Sequence, residues 1–266
     1  MRFLTEVAEQ AADDTVGAVA TALAGHKVVT LRRTADVDGD SFYRELAGGL
    51  GEFHFRDEDP VTGRLDTAGW LDIRYDPELE TRSRYRYGND RMPLHTDGAY
   101  SDVDFDVFFL RCHTSARFGG ATFAVDGATV VEYLEVTDPD LLHALLSTDV
   151  RFVKGERSVS RRIISHDDDG PVFNWSSTRV AEDNAAGVID MCDRFTDFCE
   201  RQLVDGGLVQ PLRLAPGDAV FLHNRRVLHG RYGFWGERCL LKGVLNLNRS
   251  TAGQAGTDPR PQEGAG

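Results

Sequence analysis

Apolar positions along this chain fall into two regimes. From residue 104 onward they come in short runs: "DVFFLRCH" (106–113), "GGATFAV" (119–125), "DVRFVK" (149–154), "PVFNW" (171–175), "VQPLRLAPGDAVFLH" (209–223) and "CLLKGVLNLN" (239–248). These runs are rich in Val, Phe and Leu and are bounded by Gly, Pro and Asp, which predicts strands. Two longer segments instead show helical spacing. One covers 126–147 and breaks near Asp138-Pro139; the other covers 182–204, with Val188, Met191, Cys192, Phe195, Phe198, Cys199 and Leu203 on one face. Many short strands with helices inserted or packed outside predict a mainly β fold, a sandwich or jelly roll with flanking α-helices.

Before residue 104 the pattern is looser. Residues 4–24, rich in alanine and acidic residues, predict a helix, and "KVVTL" (27–31) predicts a strand. "DGDSFYRELAGGLGEF" opens on a Ser or Asp cap and closes on glycine, which predicts a second helix over roughly 40–49. Residues 54–92 mix charges with four Tyr or Trp positions and lack clean periodicity, the mark of a long, partly ordered loop that lines a site. The tail 251–266 has almost nothing to bury and is expected to be disordered. With no repeat and no linker, residues 1–250 read as a single domain.

Composition narrows the function. The 266 residues carry 43 acidic against 30 basic side chains, a net charge of −13, which argues against binding nucleic acid through a basic surface. The four cysteines, Cys112, Cys192, Cys199 and Cys239, form no CxxC pair and no disulfide framework, as in a reducing compartment. The N-terminus lacks a signal-peptide core, and no apolar run approaches the roughly eighteen residues of a membrane span. A cytoplasmic protein with no nucleic-acid or membrane partner is expected.

The candidate chemistry lies in "PLHTDGAY" (93–100), where His95 and Asp97 stand two apart before a glycine. Alone, the pair is an ordinary capped turn with Asp97 accepting backbone donors. A distant histidine changes that. In "APGDAVFLHNRRVLHGRYGFWGERCLLKG" (215–243), a turn launches one strand and "VLHGR" begins another, carrying His229. Two histidines and one carboxylate on a β scaffold match the facial triad that holds iron(II) and leaves three positions open. A structural zinc site would fill its positions with protein ligands, and no fourth ligand lies nearby.

The stretches "LHTD" (94–97), "GGATFAVDG" (119–127) and "LAPGDAVFLHNRRVLHGR" (214–231), in that order and spacing, resemble the TauD/TfdA family of iron(II)- and 2-oxoglutarate-dependent oxygenases, including its taurine, γ-butyrobetaine and clavaminate synthase-like branches. The resemblance spans the C-terminal two-thirds of the chain. It implies a double-stranded β-helix, a jelly roll, with His95, Asp97 and His229 as catalytic metal ligands. It also implies that Thr122 and an arginine hold the distal carboxylate of 2-oxoglutarate. Arg238, nine residues after His229 and followed four later by Lys242, fits that arginine best; Lys242 and Arg231 are the other candidates. A guanidinium suits the role because it offers a planar pair of donors to a carboxylate. His223 stands six residues before the distal ligand, but "RVLHGR" assigns that ligand to His229. Retention of Asp97 argues against halogenation, which needs a small residue there.

The resemblance further implies hydroxylation, or another oxidation, of an unactivated C–H bond. O2 and 2-oxoglutarate are consumed, and succinate and CO2 released. The expected substrate is a small polar molecule, an amino acid or derivative. Its candidate contacts are Tyr85, Tyr87 and Asn89 before the metal pair, Tyr100 after it, and Asn174, Trp175 and Arg179 in "FNWSSTRV". Each has a plainer role open to it, as core or rim residue. Two rival readings use the same residues: a jelly-roll binding or sensing protein that has lost catalysis, and a zinc hydrolase. Thr122 with a following basic residue argues against the first, and the lack of an obvious general base against the second.

Overall fold

The computed structural model describes residues 1–33, 39–54, 57–59, 64–66 and 70–248. Eleven strands build two facing sheets. In chain order they are β1 (Arg2–Ala8), β2 (His26–Arg32), β3 (Gly51–His54), β4 (Leu71–Arg74), β5 (Met92–His95), β6 (Val107–Thr114), β7 (Thr122–Asp126), β8 (Gln210–Leu212), β9 (Ala219–His223), β10 (Val227–Arg231) and β11 (Cys239–Leu247). The larger sheet has the order β1-β2-β9-β6-β11-β3, with β4 also pairing β11; the smaller has the order β8-β7-β10-β5. Apart from the parallel β1–β2 pair, every pairing within the two sheets is antiparallel. This is the jelly roll that the strand pattern implied.

Side-chain alternation places three cores. On β6, Phe108, Leu110 and Cys112 point between the sheets, where they meet Ala124, Leu212 and Val227 of the smaller sheet. Their neighbours Val107 and Phe109 point outward and pack under α1 (Ala12–Gly25) and α2 (Gly39–Leu50) together with Val29 and Phe221. On the smaller sheet, Phe123, Val125 and Leu228 point outward under α3 (Gly127–Thr137), α4 (Pro139–Ser147) and α5 (Ala186–Asp197). Covered on both faces, the central strands read as continuous apolar runs rather than as alternating ones. The break at Asp138 is a cap: its carboxylate accepts from Leu141 N at 3.0 Å, with Pro139 in the first helical turn. The segment 182–204 holds α5, continued over 198–204 by a π-helix.

The N-terminal helix expected over 4–24 is corrected. Residues 2–8 form a strand whose exposure alternates, pairing parallel to β2, and the helix begins only at Ala12. An edge strand with one wet face alternates polar and apolar positions, as "RFLTEVA" does. The described residues of 54–92 hold β4, a two-residue strand pairing of 57–58 with 65–66, and a one-turn helix, Arg84–Tyr87, where a loop was expected. The expectation for the tail 251–266 lies outside the described residues. No described helix is long and apolar enough to cross a membrane.

Candidate metal centre

Two neighbouring strands bring the histidines together. His229 on β10 lies directly opposite His95 at the end of β5, and their ring centroids are 4.1 Å apart. Val227 faces the space between the sheets, and by the two-residue period of a strand His229 and Arg231 follow it. The Phe108 ring of the opposite sheet lies 4.4 Å from His229. After His95 the chain turns at Gly98, whose φ of 70° suits glycine, and Asp97 sits at the start of that turn. Asn224 fixes Asp97 by its backbone, accepting from Asp97 N at 2.9 Å and donating to Asp97 O at 3.0 Å. Thr96 holds the adjoining residue, its hydroxyl accepting from Trp175 N at 2.9 Å.

The three side chains frame one point. His95 Nε2 lies 3.8 Å from Asp97 Oδ1, and His229 Nε2 lies 3.8 Å from Asp97 Oδ2. One donor atom from each residue falls within 4.8 Å of the others. The Nδ1 of His95 is 2.9 Å from the Pro93 carbonyl, which fixes the proton there and leaves the Nε2 lone pair free. Burial lowers the pKa of both imidazoles, against the attraction of Asp97, so both stay neutral as ligands must be. Burial alone would raise the pKa of Asp97, but the Lys242 ammonium beside it holds it well below the usual carboxylate range. Two neutral imidazoles and an ionised carboxylate are the donor set for a divalent iron, and the residues present fit it.

The basic residues divide their work. On β11 the inward face carries Leu240 and Val244, and Arg238 and Lys242 fall on the same period of two. Lys242 ion-pairs with Asp97 and lies 4.9 Å over the Phe108 ring. Arg238, 5% exposed, shares with Thr122 a second cavity of about 190 Å³ walled by Cys112, Leu212, Leu214 and Leu240. Its Nε donates to Gly120 O at 3.0 Å, while its Nη1 is buried without a partner. Burial, reinforced by Arg231, pulls its pKa down to about 9, the signature of a desolvated cation that an anion would neutralise. Arg231 turns elsewhere. It donates to the carbonyls of Tyr85, Gly88 and Asp90, clamping the segment before β5 to the strand that carries His229.

A cavity of about 200 Å³ opens on the triad, lined by His95, Asp97, Tyr100, Lys154, Arg179 and Lys242 among others. Of the expected substrate contacts, Tyr85, Tyr100 and Arg179 reach it. Tyr87 and Asn89 do not line it; Asn89 instead accepts from Phe234 N through its carbonyl. Asn174 is buried, donating to Ala99 O at 3.0 Å. Trp175 is a core residue, packed edge-on against Phe152 and Phe195. Sequence reasoning missed Lys154, Arg86 and Asn224. In the polar stretch "HNRR" (223–226) between β9 and β10, His223 is occupied structurally, 3.0 Å from Leu23 O.

Comparison with known proteins bears on this arrangement. The profile of the family described as "Taurine catabolism dioxygenase TauD, TfdA family" matches residues 4–245. A uridine-5'-phosphate dioxygenase of a Streptomyces species is 27% identical over 225 residues, covering 72% of this chain and 73% of its own length. A γ-butyrobetaine dioxygenase of Pseudomonas sp. (strain AK-1) is 26% identical over 174 residues, 62% of this chain and 44% of that protein. Among solved structures, an asparagine oxygenase bound to Fe(II), 2S,3S-3-hydroxyasparagine and succinate superposes with a TM-score of 0.65 at 17% identity. It covers 89% of this chain and 82% of its own. The non-heme iron oxygenase OrfP, with Fe and α-ketoglutaric acid, reaches 0.64 at 15% identity, covering 89% and 81%. At those identities the likeness is one of fold.

Proposed function

The chain belongs to the TauD/TfdA family of iron(II)- and 2-oxoglutarate-dependent dioxygenases, and on that premise we propose that it hydroxylates an unactivated C–H bond of a small polar molecule, an amino acid or a derivative, with His95, Asp97 and His229 as the iron ligands. The observation that carries the reading is the register of β5 against β10, which sets the two imidazoles either side of one carboxylate at the edge of a cavity. Iron(II) held by these residues and 2-oxoglutarate held beside it would, with O2, supply the oxidising chemistry, releasing succinate and CO2.

The protein's own residues do the placing. Three side chains on one face leave the opposite face for small ligands. Arg238 and Thr122 hold the distal carboxylate of 2-oxoglutarate, the guanidinium through its unpartnered Nη1. Lys242, on the same inward face as Arg238, keeps a positive charge beside Asp97. Phe105, Met92 and Val244 add apolar wall to the cavity, against which the carbon skeleton of a substrate can pack. The zinc-hydrolase alternative needs a general base, and Asp97 is the only acid among the described residues lining this cavity. The relatives support a small polar substrate, since their names give uridine-5'-phosphate, γ-butyrobetaine and asparagine as substrates.

The test is succinate release from 2-oxoglutarate under air, screened for stimulation by amino acids, their derivatives and nucleotides. One class should stimulate release with matched formation of a hydroxylated product, and Asp97→Ala should abolish that coupling. Full coupled activity in Asp97→Ala would refute the ligand assignment.

A further inference from the structure

The cavity over the triad is charged against the grain of the molecule. The chain carries a net −13, yet the described residues lining this cavity include four cations, Arg86, Lys154, Arg179 and Lys242, and one acid, Asp97. In the reading above, Asp97 is committed to iron. Arg86 is neutralised by Asp72, with Nη2 at 2.6 Å from its Oδ1. Lys242 ion-pairs with Asp97. Arg179 is different: no acid among the described residues pairs with it, and its guanidinium lies 5.7 Å from the centre of the Tyr100 ring. Lys154 Nζ lies 5.1 Å from the same ring and 3.4 Å from its hydroxyl. Two cations thus stand beside one aromatic ring, whose quadrupole attracts each of them. The hydroxyls of Ser176 and Thr178, 3.2 Å apart, line the same wall.

We propose that Arg179 and Lys154, set on Tyr100 with the hydroxyls of Ser176 and Thr178, form a subsite for an anionic group carried by the substrate, a carboxylate or a phosphate monoester. This rests on the oxygenase reading, and it deepens that reading by assigning one end of the substrate. An anion seated there places the substrate across the cavity, with its charged end on the wall from residues 154–179 and its reacting carbon toward the triad. A guanidinium and an ammonium lining one cavity beside the same ring suit either anion, since both donate charge-assisted hydrogen bonds to oxygens. Neutral molecules of equal size leave Arg179 without a counter-charge and gain nothing at this wall.

Matched probes test this directly. The anaerobic iron(II)–2-oxoglutarate protein is titrated calorimetrically, at constant ionic strength, with phenyl phosphate against phenol and with phenylacetate against phenylacetamide. At least one anion is expected to bind about tenfold more tightly than its neutral partner. That advantage should fall about tenfold in Arg179→Met and return in Arg179→Lys; Lys154→Met should reduce it independently. Phenyl phosphate in the lead assigns a phosphate monoester, and phenylacetate in the lead a carboxylate. Equal binding of each anion and its neutral partner, or an advantage that survives both methionine variants, overturns the subsite. The visible charge-transfer band of the same samples reports on the underlying reading. A band without anion preference refutes the subsite alone, whereas no band refutes the oxygenase site beneath it.

Discussion

In the proposed reading, 2-oxoglutarate binding turns on Arg238. Its guanidinium is nearly sealed from solvent, spends one nitrogen on Gly120 O and keeps Nη1 unpaired beside Thr122. A charge-assisted pair to a carboxylate contributes about 1.5–3 kcal/mol. Arg238→Met should therefore weaken 2-oxoglutarate about tenfold to a hundredfold. Thr122→Val, which removes one hydroxyl, should weaken it about fivefold. Spectroscopic titration with 2-oxoglutarate checks both; unchanged affinity in Arg238→Met would move the anchor to another residue. The clustering of His95, Asp97 and His229, and the shared cavity of Thr122 and Arg238, could be anticipated because each residue sits in a short, ordered stretch with fixed spacing. Asn224 and Lys154 could not. They act on residues 127 and 54 positions away, and which side chains face a cavity is decided by packing between sheets. Trp175 illustrates the reverse error, for an aromatic next to a predicted pocket became core.

At the scale of strands, the site depends on how closely β5 and β10 approach. Gly230 sits between His229 and Arg231, and a Cβ there would fall 2.6 Å from Met92 O and 2.6 Å from the Phe123 ring. The register between the two strands also shifts at this point. Gly230→Ala should destabilise the fold by about 1–3 kcal/mol through overpacking and disturb the facing imidazoles. Thermal melting and iron affinity should fall together; a variant as stable and as tight as the parent would show that the approach is not needed. Strand placement after residue 104 was legible because buried runs of four to eight residues bounded by Gly, Pro and Asp have few other readings. The strand at 2–8 was hidden by the helix that follows it. "RFLTEVA" is one period-two stretch joined to an alanine-rich helix, and a window spanning both averages to helix.

Across the whole molecule, helices cover the outer face of each sheet while the inner faces share one core, so each layer is stabilised by the next. Calorimetric melting should give one cooperative transition, and two resolved transitions would contradict a single unit over residues 1–250. Global charge and local charge are decoupled: the chain carries a net −13, while its two cavities are lined by Arg238, Lys242 and Arg179. The most direct measurement of the central claim is the visible metal-to-ligand charge-transfer band on adding iron(II) and 2-oxoglutarate without oxygen. The account predicts a band in the parent protein, its loss in Asp97→Ala, and its appearance in Arg238→Met only at much higher 2-oxoglutarate. No band in the parent, or an unaltered band in Asp97→Ala, would contradict it.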